Sequence, residues 1–498
     1  MSVDKTIFEY SSPGRVGVRL PQSDVPAKPV DEYLGRENLR ADLPLPELSQ
    51  VDVTRHFTRL SCANYSIDVG FYPLGSCTMK YNPKINEEVA SLPGFADIHP
   101  YADESLAQGT LRALYETQEF IKAITGFDAV TLQPAAGAQG EFTAMMIFKR
   151  HHERTGQSQR HIVIVPDSSH GTNPATAARC GYGILKVPSG PDGLVDLDAL
   201  RSELSYETAA VMLTNPNTLG LFEARIEEIS AMVHDAGALL YCDGANMNAV
   251  MGWYRPGDNG FDAMHLNLHK TFSTPHGGGG PGSGPVAVKK YLEPYLPVPN
   301  VGSREQGIGN RGKGQENRYF LDYDHPDSIG RVHGLYGNVA IVLRAYAYIL
   351  SLGADGLKAV SENAVLNANY LLSRMGSAYD VPYGNRCMHE FVASASKQKE
   401  LGVKALDIAK RLIDFGFHPP TIYFPLIVPE ALMIEPTETE SIETLDAFAE
   451  AMLAIAREVE TDPDVVRSAP HDTPVKRLDE VAAARNPVLR YVRPARPG

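Results

Sequence analysis

Between residues 129 and 289, short unbroken apolar runs alternate with amphipathic stretches. The runs cover residues 129–133, 161–166, 184–187, 209–213, 238–242, 263–268 and 285–289. Each is short for a helix and apolar on both faces, the pattern of strands buried on both sides of a mostly parallel sheet. A helix over residues 105–125 precedes them, with Leu106, Leu111, Leu114, Ile121 and Ile124 near one face and Gly126 as its stop. Another runs to about Arg154. A second alternation follows: a long helix over about 332–350, another through Met375, strands at 389–393, 421–425 and 432–435, a helix to Phe415 and one from Ser441. The expected class is therefore α/β, with a large mostly parallel sheet domain and a smaller carboxyl-terminal α/β domain. The predicted division is an amino-terminal arm with site and interface loops (1–100), a large domain (101–330), a small domain (331–462) and an extension (463–498).

Composition narrows the class. The chain has 498 residues, 43% hydrophobic and 21% charged, which suits a globular protein of two domains. A net charge of −14 argues against a nucleic-acid surface. No apolar stretch is expected to span a membrane, and the first ten residues lack the pattern of a secretory leader, so a cytoplasmic location is expected. The five cysteines are scattered without a C-x-x-C pair, which fits reduced thiols.

Chemistry concentrates at the ends of the apolar runs. Lys270 lies in His265-Leu-Asn-Leu-His-Lys-Thr-Phe-Ser-Thr-Pro-His276, immediately ahead of Gly277-Gly-Gly-Gly-Pro-Gly-Ser-Gly284. Asp243 follows the run 238–242. An acid at the end of one buried strand and a lysine after the next suit pyridoxal 5'-phosphate (PLP). The amine forms a Schiff base with the aldehyde, and the carboxylate keeps the pyridine nitrogen protonated so that the ring accepts electrons. In such sheets ligands bind beyond the carboxyl ends of the strands, where the Ala135 loop, His170, Asn217, Asp243 and Lys270 all fall. Ala135-Ala-Gly-Ala-Gln-Gly140 precedes a helix and reads as an anion site. The glycine run is a linker by composition, or a loop where a cofactor approaches the backbone; its place after Lys270 favours the second.

The remaining candidates each have a plainer alternative. Asp243 suits a turn before Gly244, and His170 either caps a turn or stacks on the ring. His269 packs or contacts the phosphate, while Asn217 and Thr218 hydrogen-bond the ring hydroxyl or serve a turn. Gly307-x-Gly309-x-x-Gly312 has the letters of a dinucleotide motif without its flanking strand and helix, so NAD is rejected, and no metal is expected. For a substrate carboxylate the candidates are Arg304, Arg311, Arg318 and Arg331.

Several stretches together resemble the glycine decarboxylase P-protein family of the glycine cleavage system, in its PLP-carrying half. They include residues 65–68 to 80–83, 133–141, 167–176, 241–249, 265–284, 328–332, 336–338 and 434–441. They run from about residue 60 to 450, and the length with a single lysine site resembles subunit 2 of the two-subunit form. The resemblance implies the PLP-dependent transferase fold type I (aspartate aminotransferase-like). It also implies a heterotetramer of two subunits 1 and two subunits 2, and decarboxylation of glycine with transfer of the aminomethyl group to the lipoylated H-protein. It assigns Lys270 as the Schiff-base lysine, Asp243 as the pyridinium partner and His170 as the stacking ring. Ala136, Gly137 and Ala138 would hold the phosphate, and residues 72–80 would lie near the mouth of the site. Ser273 stands where a cysteine is often seen. The competing readings are a stand-alone fold-type-I decarboxylase or aldolase for another amino acid, and a scaffold that binds PLP without turnover.

Overall fold

The computed structural model describes residues 5–40, 43, 45–276, 282–307 and 315–490. Residues 277–281 of the glycine run, Gly309, Arg311 and Gly312 lie outside the described residues. Two compact units form: Met1–Val69 with Ala469–Gly498, and Gly70–Ser468. In the first, a helix over Gln50–Ala63 starts at a capping box in which Ser49 and Asp52 satisfy each other's backbone N–H groups.

The second unit is built on a seven-stranded sheet of order β1-β7-β6-β5-β4-β2-β3. Its strands are β1 (Ala129–Thr131), β2 (Ile162–Pro166), β3 (Gly183–Val187), β4 (Thr208–Thr214), β5 (Leu239–Gly244), β6 (Ala263–Leu266) and β7 (Val286–Val288). The pairs from β3 through β6 are parallel, while β7 runs antiparallel to both β6 and β1. Alternate residues feed cores on opposite faces. Leu240 and Cys242 join one with Ile164 and Val211, whereas Leu239 and Tyr241 join the other with Val163 and Met212. Burial on both faces explains why these segments read as unbroken apolar runs.

Register brings the carboxyl ends of three strands level, pairing Thr214 with Asp243 and Asp243 with His265. The helix Gln108–Thr125 ends at Gly126 in the left-handed conformation (φ 79°), as its sequence foretold.

The stretch after β7 is more ordered than its glycine and arginine content suggests. It pairs β8 (Asn300–Gly307) with β9 (Gln315–Asp322) as an antiparallel ribbon. The long helix begins at Val339, seven residues later than its periodicity implied, and runs to Met375 with a break at Gly353 (φ 62°, ψ −174°). Contrary to the sequence reading, it is long and apolar enough to cross a membrane by length and composition. It nonetheless buries Ile341, Val342, Leu371 and Leu372 in the cores of this unit.

A three-stranded antiparallel sheet follows, of order β10-β12-β11, from β10 (Phe391–Ser394), β11 (Thr421–Ile422) and β12 (Ala431–Ile434). It packs with the helix Ile442–Thr461, whose cap is Ser441. Gly220 seats the loop after β4 against this region. Its φ is 77°, and a Cβ there would fall 1.9 Å from the Glu390 carbonyl oxygen, so no larger residue fits.

Candidate active site

A cavity of about 120 Å³ opens at the carboxyl ends of β4, β5 and β6. Asp243, the fifth residue of β5, reaches it at 4% exposure. Its carboxylate accepts from the Asn173 side-chain amide at 2.9 Å and from the Ala245 N–H at 3.1 Å. Lys270 reaches the same cavity from the turn after β6, which closes through its own N–H to the Asn267 carbonyl. The amine donates to the Ser76 carbonyl at 2.7 Å. Ser76 has a left-handed backbone (φ 62°), and its N–H donates to the buried Glu390 carboxyl at 2.8 Å. Residues 72–80 are thereby pinned across the lysine, with Thr78 donating to Glu435 and Lys80 ion-paired to Glu438 at 2.6 Å.

Two buried carboxyls share the Asn173 amide: Asp243 and, at 3.2 Å, Glu141. Two negative charges so close cannot both be sustained in a dry site. Burial followed by the Asp243 charge pushes Glu141 up to about 8. Burial alone would also raise Asp243, but His265, the Asn173 donor, Lys270 and the Ala245 N–H outweigh it and hold it below the usual carboxylate range. At neutral pH Asp243 is therefore the ionised partner and Glu141 the protonated one. The Thr172 hydroxyl lies 2.6 Å from Glu141 and 2.9 Å from Nδ1 of His170, joining the three. Burial, with Lys270 opposing the pull of Asp243, lowers His170, so its imidazole is neutral.

The helix Gly137–Arg154 points its amino end at the cavity, where Gly137, Ala138 and Glu141 line the wall. A Cβ on Gly137 would fall 2.3 Å from Oδ1 of Asn267, so a larger residue would displace that side chain from the cavity wall. Thr214 Oγ1, His265 Nε2 and Asn267 Oδ1 are buried on the lining without a hydrogen-bond partner among the described residues. Such orphaned atoms at a cavity wall mark a place for a polar ligand.

The model of the glycine cleavage system P-protein matches residues 30–415, and that of the glycine dehydrogenase C-terminal domain matches 360–476. The chain belongs to the glycine cleavage system P-protein family. It is 57% identical over 488 residues to a probable glycine dehydrogenase (decarboxylating) subunit 2 of Caldanaerobacter subterraneus, covering 98% of each chain. With the protein of the same name from Halalkalibacterium halodurans it shares 60% over 486 residues, 97% of each. A crystal structure of glycine decarboxylase (P-protein) in inhibitor-bound form superposes with a TM-score of 0.71 at 22% identity, covering 86% of this chain and 94% of that one. A Burkholderia pseudomallei sphingosine-1-phosphate lyase gives 0.62 at 13%, covering 87% and 96%. These likenesses identify the fold as type I, the aspartate aminotransferase-like fold.

Of the residues singled out from the sequence, Lys270, Asp243, His170, Gly137, Ala138 and Thr218 come together on this family member's cavity. Ala136 is the residue just before the helix, and its carbonyl accepts from Gly140. Thr218 faces the cavity but gives its hydroxyl proton to the Ser168 carbonyl. Asn217 is not brought to the cavity wall. Its side chain accepts from the Leu219 and Leu221 N–H groups and donates to the Gly193 carbonyl, so it serves the turn. His269 also faces elsewhere, accepting from the Ser283 N–H at 3.2 Å and standing edge-on to His276. The described arginines proposed for a carboxylate do not line the cavity. Arg304 lies over Phe320, Arg318 pairs with Glu104, and Arg331 lies over Tyr101 and Tyr323. Sequence reasoning missed Glu141, Ser76, Asn267, His389 and Glu390. The Gly137-to-Glu141 spacing, one helical turn, was the signal for the first.

The raised acids make stability pH-dependent. An acid whose folded pKa exceeds its unfolded value holds an extra proton when folded, so stability falls as pH rises between the two values. Glu141 at about 8 and Glu435 at about 7, against 4.5 ordinarily, place that loss between about pH 5 and 8. Glu141→Gln should flatten the slope and raise stability at pH 8 by on the order of 1–3 kcal/mol. Thermal melts of ligand-free protein at several pH values check this, and an unchanged slope would contradict it.

Proposed function

We propose that the chain is the cofactor-bearing subunit of a glycine dehydrogenase (decarboxylating). It binds PLP and glycine, releases CO2 and passes the aminomethyl group to the lipoyl arm of H-protein. One observation carries the reading: in a member of this family, buried, ionised Asp243 and the Lys270 amine face a single cavity from adjoining strand ends.

The residues fit the cofactor. Gly137 opens a helix at the cavity wall, and three lining atoms await a polar partner. Ala136, Gly137 and Ala138 offer the phosphate the first-turn N–H groups and the positive end of the helix dipole. Lys270 would hold the aldehyde end, Asp243 the pyridine nitrogen, and neutral His170 offers a ring to stack upon.

Bound there, PLP supplies an electron sink for the pair left when a carboxylate departs from the α-carbon of an amine. Asp243 contributes a fixed anion that favours a protonated, electron-accepting ring nitrogen. Protonated Glu141 adds no second charge beside it. Ser76 presents its carbonyl to the lysine amine, held there by the Glu390 carboxyl through the Ser76 N–H. On the described lining Lys270 is the one lysine or arginine side chain.

The relatives' naming as subunit 2 supports a homologous subunit 1 as partner, assembled two and two as a heterotetramer in the cytoplasm. The test is exchange of bicarbonate carbon into glycine, measured with PLP, H-protein and subunit 1. Exchange should require the complete mixture. Undiminished CO2 release without either protein partner would overturn the reading.

A further inference from the structure

His389 and Glu390 precede β10, well over a hundred residues beyond Lys270 in sequence, yet both line the same cavity. His389 is 2% exposed, and neither ring nitrogen has a hydrogen-bond partner among the described residues. Its Nε2 lies 3.7 Å from Oε1 of Glu390, and that carboxyl is itself buried. An imidazole with both nitrogens unsatisfied in a dry wall costs free energy unless a ligand completes it. We infer that His389, with the Glu390 carboxyl beside it, forms the subsite that receives the carboxylate of the amino-acid substrate, through neutral hydrogen-bond donors in place of an arginine.

This rests on the reading of the chain as an amino-acid decarboxylase and adds the residues that grip the departing group. Three observations converge. The described arginines once expected to do so are engaged elsewhere. Burial lowers His389 to about 3, so it is a neutral N–H donor. Burial, then the neighbouring Glu435 charge, pushes Glu390 well above the usual range, so at neutral pH it carries a proton it can share. The chemistry favours such a site. A carboxylate that leaves as neutral CO2 loses its charge, so a cation gripping it strongly would stabilise the ground state more than the transition state. Neutral donors orient the group and hold it less tightly.

His389, Glu390 and Glu435 also offer ligand atoms within 4.8 Å of one another, so a divalent cation is the competing occupant. Glu435, however, already accepts from Thr78 and from the Asn246 amide.

The test compares glycine with methylamine, the same amine without its carboxylate, by absorbance titration of the PLP-loaded protein. His389→Ala should weaken glycine by about 10- to 100-fold, the worth of a hydrogen bond to a charged group, and leave methylamine within about threefold. His389→Asn, which restores an N–H donor, should recover part of the loss, and Glu390→Gln, which keeps a neutral donor, should retain glycine binding. Equal effects on both amines, or none on either, would overturn the inference, as would loss of glycine binding after dialysis of the wild-type protein against a chelator. If the unmodified loaded protein responds to neither amine, the functional reading itself fails, an outcome distinct from failure of the subsite alone.

Discussion

Lys270→Ala is expected to reduce glycine–bicarbonate exchange by at least about 10³-fold, because it removes the one amine placed to engage the cofactor covalently. The fold should survive. The side chain is half-buried, and its hydrogen bond goes to a backbone carbonyl that Glu390 holds in place through the Ser76 N–H. Thermal melting of the variant should stay near that of the parent protein while exchange disappears. Exchange within about tenfold of the parent would remove Lys270 from the chemistry.

Asp243→Asn should separate function from stability. The carboxylate supplies the charge that keeps an electron-accepting ring protonated, and losing a preorganised charge of this kind costs about 10²–10³-fold in rate. Stability should change little. Asp243 is one of two buried acids meeting at the Asn173 amide, and its charge is a cause of the raised Glu141. With asparagine there, Glu141 should titrate closer to an ordinary carboxyl. Against that relief stands the loss of the interactions that hold Asp243 low, so the ligand-free protein should stay within about 1–2 kcal/mol of the parent. The amide at Asn173 can adapt, since its oxygen has no hydrogen-bond partner among the described residues. Calorimetry beside exchange assays reads both effects. Near-normal exchange, or a marked loss of stability, would contradict the assignment of Asp243 as the functional anion.

What the sequence disclosed follows from local physics. The strands β2, β4, β5 and β6 were legible because burial on both faces forces unbroken apolar runs, and parallel order then places their ends together. Asp243 and Lys270 were found through that rule, and Ala136, Gly137 and Ala138 through the small-residue turn before a helix. The ribbon of β8 and β9 was hidden because its strands are largely polar and charged, with only Tyr319 to Leu321 as an apolar run. The start of the long helix was misplaced because Val332, Leu335 and Tyr336 continue its apolar spacing, although Gly334 and Gly337 fall in the bends before it. His389 and Glu390 carry no local mark at all. Their meaning comes from tertiary folding that returns β10 to the main sheet's carboxyl edge. Asn217 was misjudged for the opposite reason: it lies at a strand end, but a local turn consumes its hydrogen bonds.

The central claim is the covalent partnership between PLP and one amine, and borohydride reduction of the loaded protein followed by peptide mass analysis tests it most directly. The cofactor's added mass should appear on the peptide containing Lys270 and be absent after Lys270→Ala. Mass on a different lysine, or an unlabelled chain after loading and reduction, would contradict the account.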